Sequence, residues 1–269
     1  MAYETLRVER DGQVLVVRLD RPHRMNAVIE QMYLDLQAAL AAARADPDVR
    51  AVVLTGSVRR RPDGDKQAFC AGADLKEHGT GRRTAGQKRA YIELSHETTR
   101  QLFELPLPVV AAVNGPARGA GAEMALNCDL VLMADGASIA FPETGLGTFV
   151  GGGVTRHLTQ LVGLARAKYL VYTGAVLDGP AAVELGLALA SHPLDELLPR
   201  ALELARTMAA KAPLSMALAK GCLHRAALTD LPAALDAETE GILDCMKTWD
   251  WQEGIDSFAQ RRAPRFEGR

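Results

Sequence analysis

Apolar and polar positions change period several times along the chain, and each change marks an element. Leu6 to Arg10 and Val14 to Leu19 alternate or run apolar around Asp11-Gly12, which predicts a β-hairpin. Val28, Met32, Leu36 and Leu40 then recur at helical spacing up to Asp46-Pro47. Val49 to Thr55, apolar from Ala51 to Leu54, reads as a short buried strand, and Gly56 closes it. Ser57 to Gln67 is polar and reads as a mobile loop. A long amphipathic helix is predicted from about Gly86 to Leu105, ending before Pro106. Strand Pro108 to Val113, helix Gly119 to Cys128 and strand Asp129 to Ala134 follow. Strands alternating with helices, with apolar runs as strands, imply parallel pairing under a helical cover. From about Gly151 the chain reads as nearly all helix apart from Leu187 to Ala190, with breaks at Pro193, Pro213 and Pro232.

Composition narrows the class of function. The 269 residues are 48% hydrophobic and 24% charged, as in ordinary globular proteins, and suffice for one large core plus a helical appendage. A formal net charge of −2 gives a nucleic-acid partner no electrostatic support. No uncharged apolar run reaches membrane-spanning length, so no membrane role is expected. Cys70, Cys128, Cys222 and Cys245 lack CxxC spacing, and no apolar leader opens the sequence, so free thiols in a reducing cytoplasm are expected. The clusters Arg59-Arg60-Arg61 and Arg82-Arg83 read as solvated loops, or as docking points for a phosphate-bearing ligand.

Several familiar chemistries lack their motif. GxxxxGK[ST], a complete GxGxxG and GxSxG are absent, and His96-Glu97 lacks the second histidine of HExxH. The six histidines are scattered, so no metal site is expected. Two carboxylates stand out instead. Glu123 and Glu143 lie in an otherwise apolar, glycine-rich stretch from Leu107 to Gly153. Burying a carboxylate is costly unless it is paired or used, and two of them beside tight turns suit acid–base work on an uncharged carbon skeleton. Two small-residue turns accompany them, Ala68 to Lys76 and Gly115 to Glu123. Such turns let backbone N–H groups approach a ligand closely, and two N–H groups from separate turns would form an oxyanion hole.

The ordered set of motifs resembles the crotonase superfamily, the enoyl-CoA hydratase/isomerase family. The residues that carry the resemblance begin with Arg21-Pro22, Asn26-Ala27, Phe69 to Leu75, Pro108 to Gly115, Gly119 to Glu123 and Cys128-Asp129. It continues through Phe141-Pro-Glu143, Gly147, Gly151 to Gly153, Thr173-Gly174, Glu184 to Gly186, Glu253-Gly254, Phe258 and Arg261. It implies a crotonase-type α/β spiral of ββα units over residues 1–200, closed by a C-terminal helical trimerisation region over 201–269. It also implies a homotrimer or dimer of trimers acting on an acyl-CoA thioester, with no cofactor beyond the CoA of the substrate.

On the resemblance, the oxyanion hole falls to the N–H groups of Ala73 and Ala120. Ala120 departs from a frequent glycine, which leaves the donor intact if its φ is negative. Glu123 takes the water-activating position, and Glu143 the position that moves a proton at Cα. Candidate CoA contacts are Arg24, Ala27, the turn Ala71, Asp74, Leu75 and Lys76, and, serving a neighbouring subunit, Phe258 and Arg261. Lys76 or Arg261 would meet a CoA phosphate. Val150 stands where the family often has proline, and the insertion Arg59 to Asp65 is unusual. Trp249 and Trp251 are expected to pack between helices. The implied reaction is reversible hydration of a 2-enoyl-CoA; the alternatives are Δ3–Δ2 isomerisation, a specialised dehydratase or lyase, and a silent CoA-binding subunit.

Overall fold

The structure is a computed structural model that describes residues 3–60, 62, 64–78, 83–226 and 231–269. Arg61 and Arg82 of the two basic clusters therefore lie outside the described residues. β1 (Leu6–Asp11) and β2 (Val14–Leu19) form the expected hairpin, with Val8 opposite Val17. Gly12, at φ +59, makes the turn that a side chain would strain. β2 continues in parallel to β3 (Ala51–Gly56), β3 to β4 (Val109–Val113), and β4 to a strand at Leu130–Ala134. β3 and β4 are buried at every position, which is why they read as unbroken apolar runs.

A short strand β5 (Ala117–Arg118) precedes that Leu130–Ala134 strand, which is β6. β5 pairs in parallel with β7 (Ser138–Ala140), and β7 pairs antiparallel with β8 (Leu177–Asp178), making a separate three-stranded sheet. β9 (Ala190–His192) closes the main sheet beside β6, in the order β1-β2-β3-β4-β6-β9. The non-helical break read over Leu187 to Ala190 leads into this strand. Gly186, at φ +83, ends the preceding helix, and Leu189 donates to Val131 O before the ladder begins at Ala190. β5, β7 and β8 have two or three residues each, too few to show a period.

The helices are α1 (Glu30–Ala45), α2 (Leu75–His78), α3 (Ala85–Glu104), α4 (Ala120–Leu126), α5 (Val154–Val162), α6 (Leu164–Thr173) and α7 (Gly179–Leu185). α8 (Leu194–Ala209), α9 (Pro213–Ala226), α10 (Leu231–Met246) and α11 (Trp249–Ala259) complete the chain. Val28 precedes α1 and bridges to Ala73 instead of joining the helix. Thr84 and Gln87 form a reciprocal capping box that starts α3. α8 buries Leu197, Ala201, Ala205 and Ala209, one stripe at four-residue spacing, and packs on β2, β3, β4 and β6. Residue 200, where the sequence divides core from tail, lies within α8.

A polar junction helps tie the tail to the core. Lys220 of α9 donates to Asp129 Oδ2 at 2.8 Å and to Leu107 O, and the same carboxylate oxygen accepts the Val109 N–H. Trp249 and Trp251 are not packed between helices: both are exposed, and Arg269 lies over the Trp249 ring. Among the described residues no helix is long and apolar enough to cross a membrane.

Candidate active site

The segment Cys70 to Asp74 is held on both sides by backbone pairing. Cys70 donates to Pro116 O and accepts from Arg118 N–H, which fixes it to β5. On the other side, Ala71 donates to Met25 O, Val28 donates to Gly72 O, and Asp74 donates to Val28 O. In that parallel bridge Gly72 and Asp74 face Val28, so the N–H of Ala73 between them points away. Among the described residues it donates to nothing. Gly72 lies at φ +92, and a Cβ there would sit 2.8 Å from Arg118 O. Only glycine lets the two segments come this close.

The second turn meets the first at Gly119. Its φ is +50, and a Cβ on it would lie 4.0 Å from Gly72 Cα and 2.8 Å from Glu143 Oε1. Ala120 opens α4 in ordinary helical backbone, so the departure from glycine leaves its amide available. As the first helical residue it has no intrahelical acceptor, and among the described residues its N–H donates to nothing.

Both carboxylates are buried beside these turns. Glu123, 8% exposed, lies in the first turn of α4, and its Oε1 accepts the Gly151 N–H at 2.9 Å. Burial pushes its carboxyl up to about 7; the Gly151 bond opposes that rise and the Glu143 charge adds to it. Glu143, 7% exposed, opens the 3-10 turn Glu143–Leu146 behind Pro142. Its Oε2 is buried with no hydrogen-bond partner among the described residues, and burial raises its carboxyl above the ordinary range. Two acids raised in this way can divide proton donor and acceptor roles near neutral pH.

The other predicted residues fall around this centre. Asp74 is buried and accepts from Arg21 Nη1 at 3.3 Å and from the Lys76 N–H, with Arg24 Nε at 4.0 Å. Burial opposes its ionisation, but the hydrogen bonds from Arg21 and Lys76 and the Arg21 and Arg24 charges outweigh it and hold the carboxyl below its usual range. Its side chain is thus turned into the protein. Arg21 also donates to Ala27 O at 2.5 Å, locking the Arg24 to Ala27 corner. Asn26 in that corner has φ +55, which asparagine tolerates, and it donates to Ser57 O and Ala68 O while accepting from Arg21 N–H. Ala71, Leu75 and Lys76 are exposed on the turn. Arg261 is exposed beyond α11, while the side chain of Phe258 lies outside the described residues. Cys70 is fully buried, and burial pushes its thiol up to about 12, so it is no nucleophile at neutral pH.

Two residues escaped the sequence reading. Asn127, buried at the end of α4, donates to Glu123 O at 2.8 Å and to Gly152 O at 2.6 Å, and its Oδ1 faces His157 Nε2 at 3.0 Å. The available signal was a lone amide within the apolar run Met124 to Met133.

Two buried acids thus lie beside two backbone amides that are unengaged among the described residues, in an α/β fold. The chain belongs to the enoyl-CoA hydratase/isomerase family, whose model matches residues 9–269. It is 34% identical over 266 residues to the crotonyl-CoA hydratase of Syntrophomonas wolfei, covering 99% of both chains. It is 33% identical to the short-chain-enoyl-CoA hydratase of Clostridium acetobutylicum, over 95% of this chain and 94% of that one. The crystal structure of an enoyl-CoA hydratase from Bacillus anthracis superposes with a TM-score of 0.92 at 32% identity, covering 99% of this chain and 100% of that one. The fold is therefore of the crotonase type, as the motif order implied.

Proposed function

We propose that this chain reversibly adds water across the double bond of a 2-enoyl-CoA to give a 3-hydroxyacyl-CoA. The observation that carries the reading is the convergence of Glu123, Glu143 and the Gly119-Ala120 turn on one buried spot, with both carboxyls raised. The thioester oxygen would accept the N–H groups of Ala73 and Ala120, which stabilise the enolate-like charge as it develops. Glu123 orients a water and takes its proton as the oxygen bonds Cβ. Glu143, in its acid form, delivers a proton to Cα, and the proton taken by Glu123 restores the balance when both acids re-equilibrate. The named relatives, hydratases of crotonyl-CoA and of short-chain enoyl-CoA, support the same reaction class.

The CoA portion is assigned to Arg24 and the backbone at Ala27, to the turn Ala71 to Lys76, where Ala71, Leu75 and Lys76 are exposed, and to Phe258 and Arg261 from an adjoining copy. A homotrimer or dimer of trimers follows from that last assignment, and its support is the apolar surface of α10 and α11. The free thiols suit a cytoplasmic location.

The test is a panel of 2-enoyl-CoA and 3-enoyl-CoA thioesters incubated in H2(18)O and in D2O and followed by mass spectrometry. Incorporation of one heavy oxygen into the product supports hydration. Double-bond migration with deuterium at Cγ and no oxygen gain replaces it with isomerisation. Binding without turnover of any member makes the chain a silent CoA-binding subunit.

A further inference from the structure

We propose that Asn127 is a positioning residue for Glu123, locked in its working orientation by His157. The inference rests on Glu123 being the water-activating acid, and it adds two residues to the machinery that aims it. The geometry leaves little freedom. Asn127 ends α4, the helix that carries Glu123, and its Nδ2 spans two carbonyls: Glu123 O on its own helix and Gly152 O on the facing turn. That turn supplies the Gly151 N–H that holds Glu123 Oε1. One amide side chain thus fastens the helix to the loop that orients the acid.

The proton inventory fixes the roles. Both carbonyls are acceptors, so the amide nitrogen must face them and Oδ1 must face His157. Oδ1 only accepts, so His157 carries a proton on Nε2. Burial, with the Arg156 and His224 charges adding, lowers the ring to about 4, which agrees with a neutral donor. Phe103 lies tilted against the imidazole at 5.4 Å, and a Cβ on Gly153 would lie 3.2 Å from Nε2, so a side chain there would crowd the ring.

The arrangement also forms a wall. Asn127, Gly152, Gly153 and His157 line a cavity of about 660 Å³ beneath α9, and neither catalytic glutamate reaches it. The titratable groups on the Glu123 side are Glu143 from its 3-10 turn, Tyr33 of α1, Tyr91 of α3 and Cys70, while His96 of α3 borders both sides: it lines the cavity, and its Nε2 would lie 3.6 Å from a Cβ on Gly151.

The experiment compares N127A, H157L and H157Q with wild type, reading kcat and KM for an enoyl-CoA and the titration of Glu123 by carboxyl (13)C NMR. Displacing the acid by a fraction of an ångström is expected to lower kcat by about 10- to 100-fold in N127A, with KM unchanged. Loss of the Gly151 bond, which lowers the Glu123 pKa, is expected to move its midpoint further upward. H157L should follow N127A in part. H157Q retains a donor to Oδ1 and should recover wild-type behaviour. Wild-type kcat and an unmoved Glu123 midpoint in N127A overturn the proposal. If N127A does not fold, equal values for H157L and H157Q overturn it. A wild-type chain that hydrates no enoyl-CoA overturns the proposed function instead and leaves the NMR comparison standing.

Discussion

The Gly151 N–H donates to Glu123 Oε1 at 2.9 Å, and the next residue, Gly152, has no room for a side chain against Glu123 Cβ. The loop thus does two things to the acid. It supplies a hydrogen bond that favours the carboxylate, and it shuts out solvent, which favours the acid form. The outcome, a carboxyl near 7, is the balance of these opposed effects.

That balance sets a pH dependence. Glu123 must be ionised to take a proton from water, so kcat/KM for hydration should fall as pH drops below about 7. In E123Q any residual activity should lose that limb. A wild-type profile flat from pH 5 to pH 8 in the same buffers excludes Glu123 as the base.

The same carboxyl affects stability in the opposite sense. Its folded pKa is raised from the ordinary 4.5 to about 7, so the folded state binds the extra proton. Its contribution is present below pH 4.5 and is lost as pH rises through about 7. The gap corresponds to about 3 kcal/mol at most. E123Q should therefore melt above wild type at pH 8 and level with it near pH 4, by calorimetry. Equal Tm values at both pH values refute the raised carboxyl.

Removing either acid should stop the chemistry and spare binding. E123Q and E143Q are each expected to lower hydration of crotonyl-CoA by about 10²- to 10⁴-fold. Dissociation constants for a saturated acyl-CoA, measured by calorimetry, should stay near wild type. Loss of activity in only one variant would assign both proton transfers to that residue.

Gly152, beside Glu123, and the surface Gly136 make a contrasting pair. Gly152 has φ +55, and a Cβ there would lie 2.7 Å from Glu123 Cβ. Gly136 has open space around it and no positive φ. G152A should lower the melting temperature and cut hydration sharply, because strain in the turn is relieved only by moving Glu123. G136A should do neither. Matching behaviour of the two variants would mean that the turn is dispensable.

Much of this was legible because parallel strands and motif turns have strong local signatures. β3 and β4 showed as unbroken apolar runs, and Glu123 and Glu143 showed as charges where apolar residues were due. The polar stitching was not legible. Arg21 with Asp74 and Asn127 with His157 are separated by 53 and 30 residues, and no period links them. Strands β5, β7 and β8 were missed because pairing defines them, while β9 showed only as the non-helical break Leu187 to Ala190 that leads into it. Trp249 and Trp251 were assigned to a helix interface because of their size, yet this chain alone leaves them exposed.

That exposure leads to the assembly. On α10, Ile242, Leu243 and Met246 are exposed, and on α11 Trp251 and Ile255 join them. A single chain gains nothing by presenting five large apolar side chains on adjoining helices, whereas burying them between copies is favourable. Light scattering after size exclusion should give a mass of three or six chains. The double variant I242R/I255R should reduce that mass. It should also raise KM for an acyl-CoA more than it lowers kcat, because Phe258 and Arg261 would be supplied by the adjoining copy to the CoA and not to the reacting atoms. A wild-type monomer with full activity defeats the assembly and the assignment of those two residues together. An intact trimer with raised KM would keep the CoA contacts and place the subunit interface elsewhere.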